Sequence, residues 1–182
     1  MAETLRLKIV ELLSRGINRL YSISEIAKHL KAAYSHCNTF VRELEKENVI
    51  KIIRIANAHI CTLNLNENLT LAYLTLIEYR KAKEWKEKNK PRAGKIGLFV
   101  SRLKEKGIVI DTLFVDDSVY IVIPKLEPET ARQIDNEKLG LGYVLLDREK
   151  FTENQDHFIR KHFILYGAER FWELVKKSIR IE

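Results

Sequence analysis

Across Tyr34–Glu47, YSHCNTFVRELEKE, the side chains able to do chemistry are short hydrogen-bonding groups followed by cations. At helical spacing Cys37, Val41 and Leu44 share one stripe, with Phe40 beside it. That leaves Ser35, His36, Asn38, Thr39, Arg42 and Lys46 on the other face. Small donors and acceptors of this kind reach base edges in a DNA major groove, and cations beyond them meet phosphates. The same face also suits the solvated side of an ordinary amphipathic helix. The surrounding segments bear on which reading holds.

Other residue types capable of chemistry are sparse. Cys37 and Cys61 sit in apolar patterning and read as small core residues rather than ligands or a disulfide. Neither has a cysteine or histidine at metal-binding spacing, so no zinc site and no cofactor is expected. His157 and His162 lie five apart and share no helical face, with no obvious partner. Asp116 and Asp117 sit between two apolar runs and read most simply as turn residues.

The elements that must position Tyr34–Glu47 follow from periodicity and caps. Leu5, Ile9, Leu12 and Leu13 predict a first helix ending near Gly16. Ser22 and Glu25 form an S-x-x-E capping box, so a second helix runs to about Lys31 and buries Ile26 and Leu30. A turn at Lys31–Ala33 leads into the third helix, which Asn48 closes in a left-handed conformation. VIKIIRI and HICTLN then predict a hairpin, with Asn57 at its tip. Lys51, Arg54 and His59 on it either meet phosphate and the minor groove or form a solvated surface.

The stretch SISEIAKHLKAAYSHCNTFVRELEKENVIKI resembles the helix-turn-helix of MarR-like and related archaeal winged-helix regulators, which carry the form SxxELAxxLGISxSTVxRxxKELExxGLI. Lys31 stands where the pattern has its turn glycine. The resemblance implies that the Tyr34 helix reads DNA, with Ser35, His36, Asn38 and Thr39 toward bases and Arg42 nearer the backbone. The expected DNA-binding set is Tyr34, Ser35, His36, Asn38, Thr39, Arg42 and Lys46, with Lys51, Arg54, Asn57 and His59 from the hairpin. Some winged helices dock protein instead.

From Asn68 to about Lys90 the pattern is helical, with a break at Pro91. Such a connector either packs against its copy in a homodimer or serves as a monomeric linker. Trp85 is either an interface anchor or a cap on the second domain. Beyond it, Arg92–Lys106 is a helix, IDTLFV and SVYIVIP are strands about a tight turn, and Pro128 to about Leu139 is helical. GYVLLD is a further strand, and Phe151 onward is read as helices, FILYGAERFWELVKK breaking at Gly167. The order α-β-β-α-β-α-α predicts a small α+β domain.

YVLLDREKF and KHFILYGAERFWELV are similar to parts of the minimal nucleotidyltransferase domains fused to archaeal winged helices, and so is ICTLNLNENLTLAYLTLIEY. The resemblance implies an LFGSxAxG loop for nucleotide phosphates and carboxylates that hold two Mg²⁺ ions. Here Leu113-Phe114-Val115 runs directly into DDSVYIVI, so Asp117 takes the first carboxylate position, Val119 the second and Gly142 the third. One carboxylate holds no metal pair, and the expectation is a degenerate, catalytically inactive domain.

Bulk composition agrees with this frame. A chain of 182 residues with 46% hydrophobic content can bury one good core or two small ones. It has no run of 18 or more apolar residues, and MAETLRLKIV lacks a signal-peptide layout, which predicts a soluble cytoplasmic protein away from membranes. Abundant Lys, Glu and Ile with scarce Gln is a bias seen in hyperthermophile proteins. Residues 1–90 carry 16 Lys/Arg against 10 Glu, and residues 91–182 carry 16 against 15 acids. That asymmetry fits a polyanion-binding module joined to a near-neutral one. The fold expected is α+β: a winged helix-turn-helix at 1–66, a connector helix at 67–91 and a nucleotidyltransferase-like domain at 92–182. The function expected is sequence-specific transcriptional regulation on double-stranded DNA as a homodimer. An active nucleotidyltransferase and a protein-interaction scaffold are the alternatives.

Overall fold

In the computed structural model, α1 (Ala2–Ser14) turns Ile9, Val10 and Leu13 inward. Residues 2–17, 19–55, 58–160 and 162–178 are described. The two-residue strand β1 (Tyr21–Ser22) leads into α2 (Ile23–Leu30), and the expected capping box is formed. Ser22 Oγ accepts from Glu25 N at 3.2 Å, and Ser22 N donates to Glu25 Oε2 at 2.8 Å. α3 (Tyr34–Lys46) follows after three residues, and Asn48 takes φ 59° just beyond its end. β2 (Ile50–Ile55) and β3 (Ala58–Leu63) pair antiparallel, and β1 joins the other side of β3, so β2 is an edge strand. Asn57 lies outside the described residues.

The chain divides into two compact units, Met1–Ile77 and Glu78–Glu182. The connector is one helix, α4 (Asn68–Lys88), whose first half belongs to the first unit and whose second half belongs to the second. In the first unit Leu74 and Ile77 are buried and Thr70 Oγ1 donates to the Val49 carbonyl.

In the second unit α5 (Lys90–Glu105) opens with Pro91 in its first turn, where no intrahelical donor is needed. β4 (Thr112–Val115) and β5 (Val119–Ile123) form a hairpin about Asp116–Asp117. α6 (Pro128–Asn136) crosses over to β6 (Tyr143–Asp147), which runs parallel to β5. α7 (Arg148–Glu153), α8 (Gln155–Arg160), β7 (Phe163–Tyr166) and α9 (Ala168–Ser178) complete it, with strand order β6-β5-β4-β7.

Both faces of this sheet are covered, which accounts for the near-continuous apolar runs in its central strands. Leu113, Val115 and Ile121 cluster with Trp85, Ile96, Phe99 and Leu103. On the other face Phe114 meets Phe158 at 5.1 Å, Phe171 at 5.6 Å and Phe151 at 6.1 Å between ring centroids. Trp85 is therefore a core residue of the second unit, its indole 6.4 Å from the Phe163 ring.

One segment differs from the sequence reading. FILY was expected to continue a helix, yet it forms β7, antiparallel to β4 with Phe114 opposite Ile164. A four-residue apolar run has no period of its own, and the pairing partner lies about fifty residues earlier. His162, just before β7, also acquires a partner: its Nε2 is 3.2 Å from Glu78 Oε1, which Lys81 Nζ contacts at 3.0 Å. Burial pushes the Glu78 carboxyl up, but the hydrogen bonds and charges of His162 and Lys81 outweigh it, leaving it below the ordinary range.

Gly167 turns the chain from β7 into α9 at φ +71°. Its missing side chain matters twice, because a Cβ there would lie 2.1 Å from the Asp111 carbonyl oxygen. Asp111 is itself fixed: Arg148 donates to both of its oxygens, at 2.6 and 2.9 Å, and Arg170 Nε donates at 3.1 Å. Gly167→Ala should therefore cost more than about 3 kcal/mol in a denaturant unfolding experiment, through backbone strain and the carbonyl clash. A variant within about 0.5 kcal/mol of wild type would show that α9 can re-seat.

Candidate nucleic-acid interface

The orientation of α3 is set by what it buries. Cys37, Val41 and Leu44 are completely buried, and Val41 and Leu44 each contribute on the order of 1.5–3 kcal/mol by leaving water. Rotating the helix would forfeit that, so its opposite face is held outward. On that face Tyr34, Ser35, His36, Thr39 and Lys46 are exposed, while Asn38 and Arg42 are half-buried. Arg6 braces the back of the helix: its guanidinium pairs with Glu47, lies 3.9 Å from Glu43, and stands over the Tyr73 ring.

Two of these side chains are already engaged. Thr39 Oγ1 donates to the Ser35 carbonyl at 3.0 Å, which commits its proton and leaves a lone pair and a methyl group facing out. Arg42 Nη1 donates to Glu45 Oε2 at 3.0 Å. A phosphate must compete with that carboxylate for the guanidinium. At the amino end of α3, Ala33 offers no side-chain cap and the first turn holds no acid. The first-turn N–H groups thus lack a side-chain acceptor from the cap, an arrangement that favours an anion.

The hairpin separates the cations that the sequence placed together. Ile50 and Cys61 are buried, Ile52 lies opposite Cys61, and Arg54 lies opposite His59, so these share one face. Lys51, Ile53 and Ile55 are on the other, and all three are exposed. Lys51 therefore does not join Arg54 and His59; period-two parity along IKIIRI carries that information. Both cysteines are free and buried, and burial pushes the Cys61 thiol up to about 12.

In the second unit Asp117 is exposed in the β4–β5 turn and accepts from Tyr120 Oη at 2.7 Å, the main reason its carboxyl lies below the usual range. Val119, at the second carboxylate position, is buried, and Gly142 precedes β6. Asp116 has His157 Nε2 at 3.9 Å. Among the described residues no group of three or more His, Cys, Asp and Glu side chains is placed to hold a metal ion.

A family model described as winged helix-turn-helix DNA-binding matches residues 3–51. The first unit carries a winged helix-turn-helix. No curated protein and no solved structure matches the chain. In this winged helix α3 occupies the recognition position and β2–β3 is the wing. No helix among the described residues is long and apolar enough to cross a membrane.

Unit boundaries also redistribute the charge. Residues 1–77, which include the winged helix, hold ten Lys/Arg against seven Glu. Residues 80–95 alone hold eight Lys/Arg against two Glu, +6 of the chain's +7.

Lys31 links α2 to α3 at φ 50°, ψ 44°, with its N–H on the Lys28 carbonyl at 3.3 Å. A lysine in this left-handed conformation carries a strain that glycine does not. Lys31→Gly should stabilise the chain by about 0.5–1 kcal/mol in urea unfolding; a loss of stability would mean that the lysine side chain offsets its own backbone strain.

Proposed function

We propose that the protein is a sequence-specific transcriptional regulator that reads double-stranded DNA through α3. The observation that carries this reading is the outward face of α3, where Ser35, His36, Asn38 and Thr39 stand opposite the buried Cys37–Val41–Leu44 stripe. The family match over residues 3–51 supports it. In this reading those four groups address base edges, Tyr34 and Lys46 flank them, and Arg42 serves the backbone. Arg54 and His59 reach from one face of the wing and Lys51 from the other.

The second unit, on this proposal, is a nucleotidyltransferase-like domain without transfer chemistry, and the protein acts as a cytoplasmic homodimer of the MarR-like kind. Support for catalytic loss comes from the sequence: Asp117 is paired with Val119 and Gly142 where the resemblance calls for further carboxylates. A second reading, a winged helix that docks protein, draws on Ile53 and Ile55, which are 49% and 52% exposed on the outer face of the wing.

Selection of bound fragments from random duplexes, followed by titration across salt, tests the first reading. Asn38→Ala and Thr39→Ala should each relax base choice at one position by about 1–3 kcal/mol, with the salt slope unchanged. Glu45→Gln should release the Arg42 guanidinium, strengthen binding to all duplexes and steepen the log–log salt slope by about one. If no duplex is retained at low salt, the docking reading takes its place. Wild-type discrimination in both Asn38→Ala and Thr39→Ala would remove α3 as the reading element.

A further inference from the structure

The concentration of charge at residues 80–95 lies in the second unit, outside the winged helix. Part of it converges. Lys83, Lys86 and Lys90, spaced three and four apart, line one groove with Tyr79, Ala82 and Leu165, about 420 Å³ in volume. Glu87 is the carboxylate on its wall, so ammonium groups outnumber it. The three lysines are exposed, and among the described residues none of them forms an ion pair. Lys81, on the other side of α4, is by contrast committed to Glu78.

The groove is more than a solvated basic helix face. Tyr79 is 58% exposed and lines the groove beside the lysines, so an aromatic ring stands among the ammonium groups. Ala82 and the half-buried Leu165 supply apolar wall, and Lys86 Nζ is 3.5 Å from the Leu165 carbonyl. A small inorganic anion uses the ammonium groups and leaves the ring idle. A duplex backbone does the same, because its bases are stacked inside. A single strand offers both a base to stack and phosphates on either side, and sites for it combine a basic groove with an aromatic platform.

We propose that this groove binds a single-stranded stretch of nucleic acid, a base stacking on Tyr79 while flanking phosphates meet Lys83, Lys86 and Lys90. The site is independent of duplex reading by α3. The test is fluorescence anisotropy of the full chain with a labelled oligothymidylate of roughly 12 nucleotides, titrated at several salt concentrations. The Lys83→Gln, Lys86→Gln, Lys90→Gln triple variant should bind at least about tenfold more weakly, with a log–log salt slope shallower by about two. Tyr79→Ala should lose at least about fivefold, and Tyr79→Phe, which keeps the ring, should retain wild-type affinity. Asn38→Ala and Thr39→Ala should leave single-strand binding untouched, so a failure of duplex reading and a failure of this site are separable. All these positions except Asn38 are exposed, and circular dichroism melts check that the variants fold. Failure of the wild type to retain the oligothymidylate at low salt overturns the proposal. So does a Tyr79→Ala variant that binds like wild type, or full displacement by equimolar unlabelled duplex, which would make the lysines a duplex-backbone contact.

Discussion

The first unit depends on a single constraint: Cys37, Val41 and Leu44 cannot leave the core. Their complete burial sets the rotation of α3 about its axis, and everything the outer face can do follows from that. The neighbours reinforce the setting without specifying it. The Ser22–Glu25 capping box fixes where α2 begins, Lys31 bends the chain, and Asn48 ends α3 so that Val49 and Ile50 can enter the wing. Arg6 adds a polar brace from α1 through Glu47 and Tyr73. The polar face takes no part in this burial, and its Ser35 and His36 stand exposed.

The second unit is organised around β4, which has β5 on one side and β7 on the other and is buried along its whole length. Asp111 enters it held by Arg148 and Arg170, and Gly167 allows the β7–α9 turn to close against the same backbone. Burial alone would raise the Asp111 carboxyl; the two guanidinium groups more than offset this and keep it ionised. The segment FILYGAERFW is thus a packing device: a strand, an obligatory glycine and a helix whose Phe171 joins the aromatic cluster.

What could be read from the chain was mostly local. The capping box, the left-handed Asn48, the stripe on α3, the hairpin and the β4–β5 turn all depend on residues within a few positions of one another, and each is present as expected. What escaped was nonlocal or needed a finer count. FILY became a strand because β4 was available to pair with it, and His162 found Glu78, 84 residues away. Two further features are legible in the sequence at this finer count. Parity along IKIIRI separates Lys51 from Arg54, and Glu45 stands three residues after Arg42, within reach of its guanidinium. The basic cluster at residues 80–95 belongs to the second unit because the unit boundary falls inside α4, where no local pattern marks it.

The position of β2 at the rim of its sheet has one more consequence. A strand with one open edge and with Ile53 and Ile55 in water is a template on which another chain could nucleate an intermolecular sheet. Lys51 and Arg54 interrupt that apolar run with charge, and two copies of the strand brought side by side would set cation near cation. Charge on the strand thus opposes edge-to-edge pairing of two copies, independently of anything the wing binds.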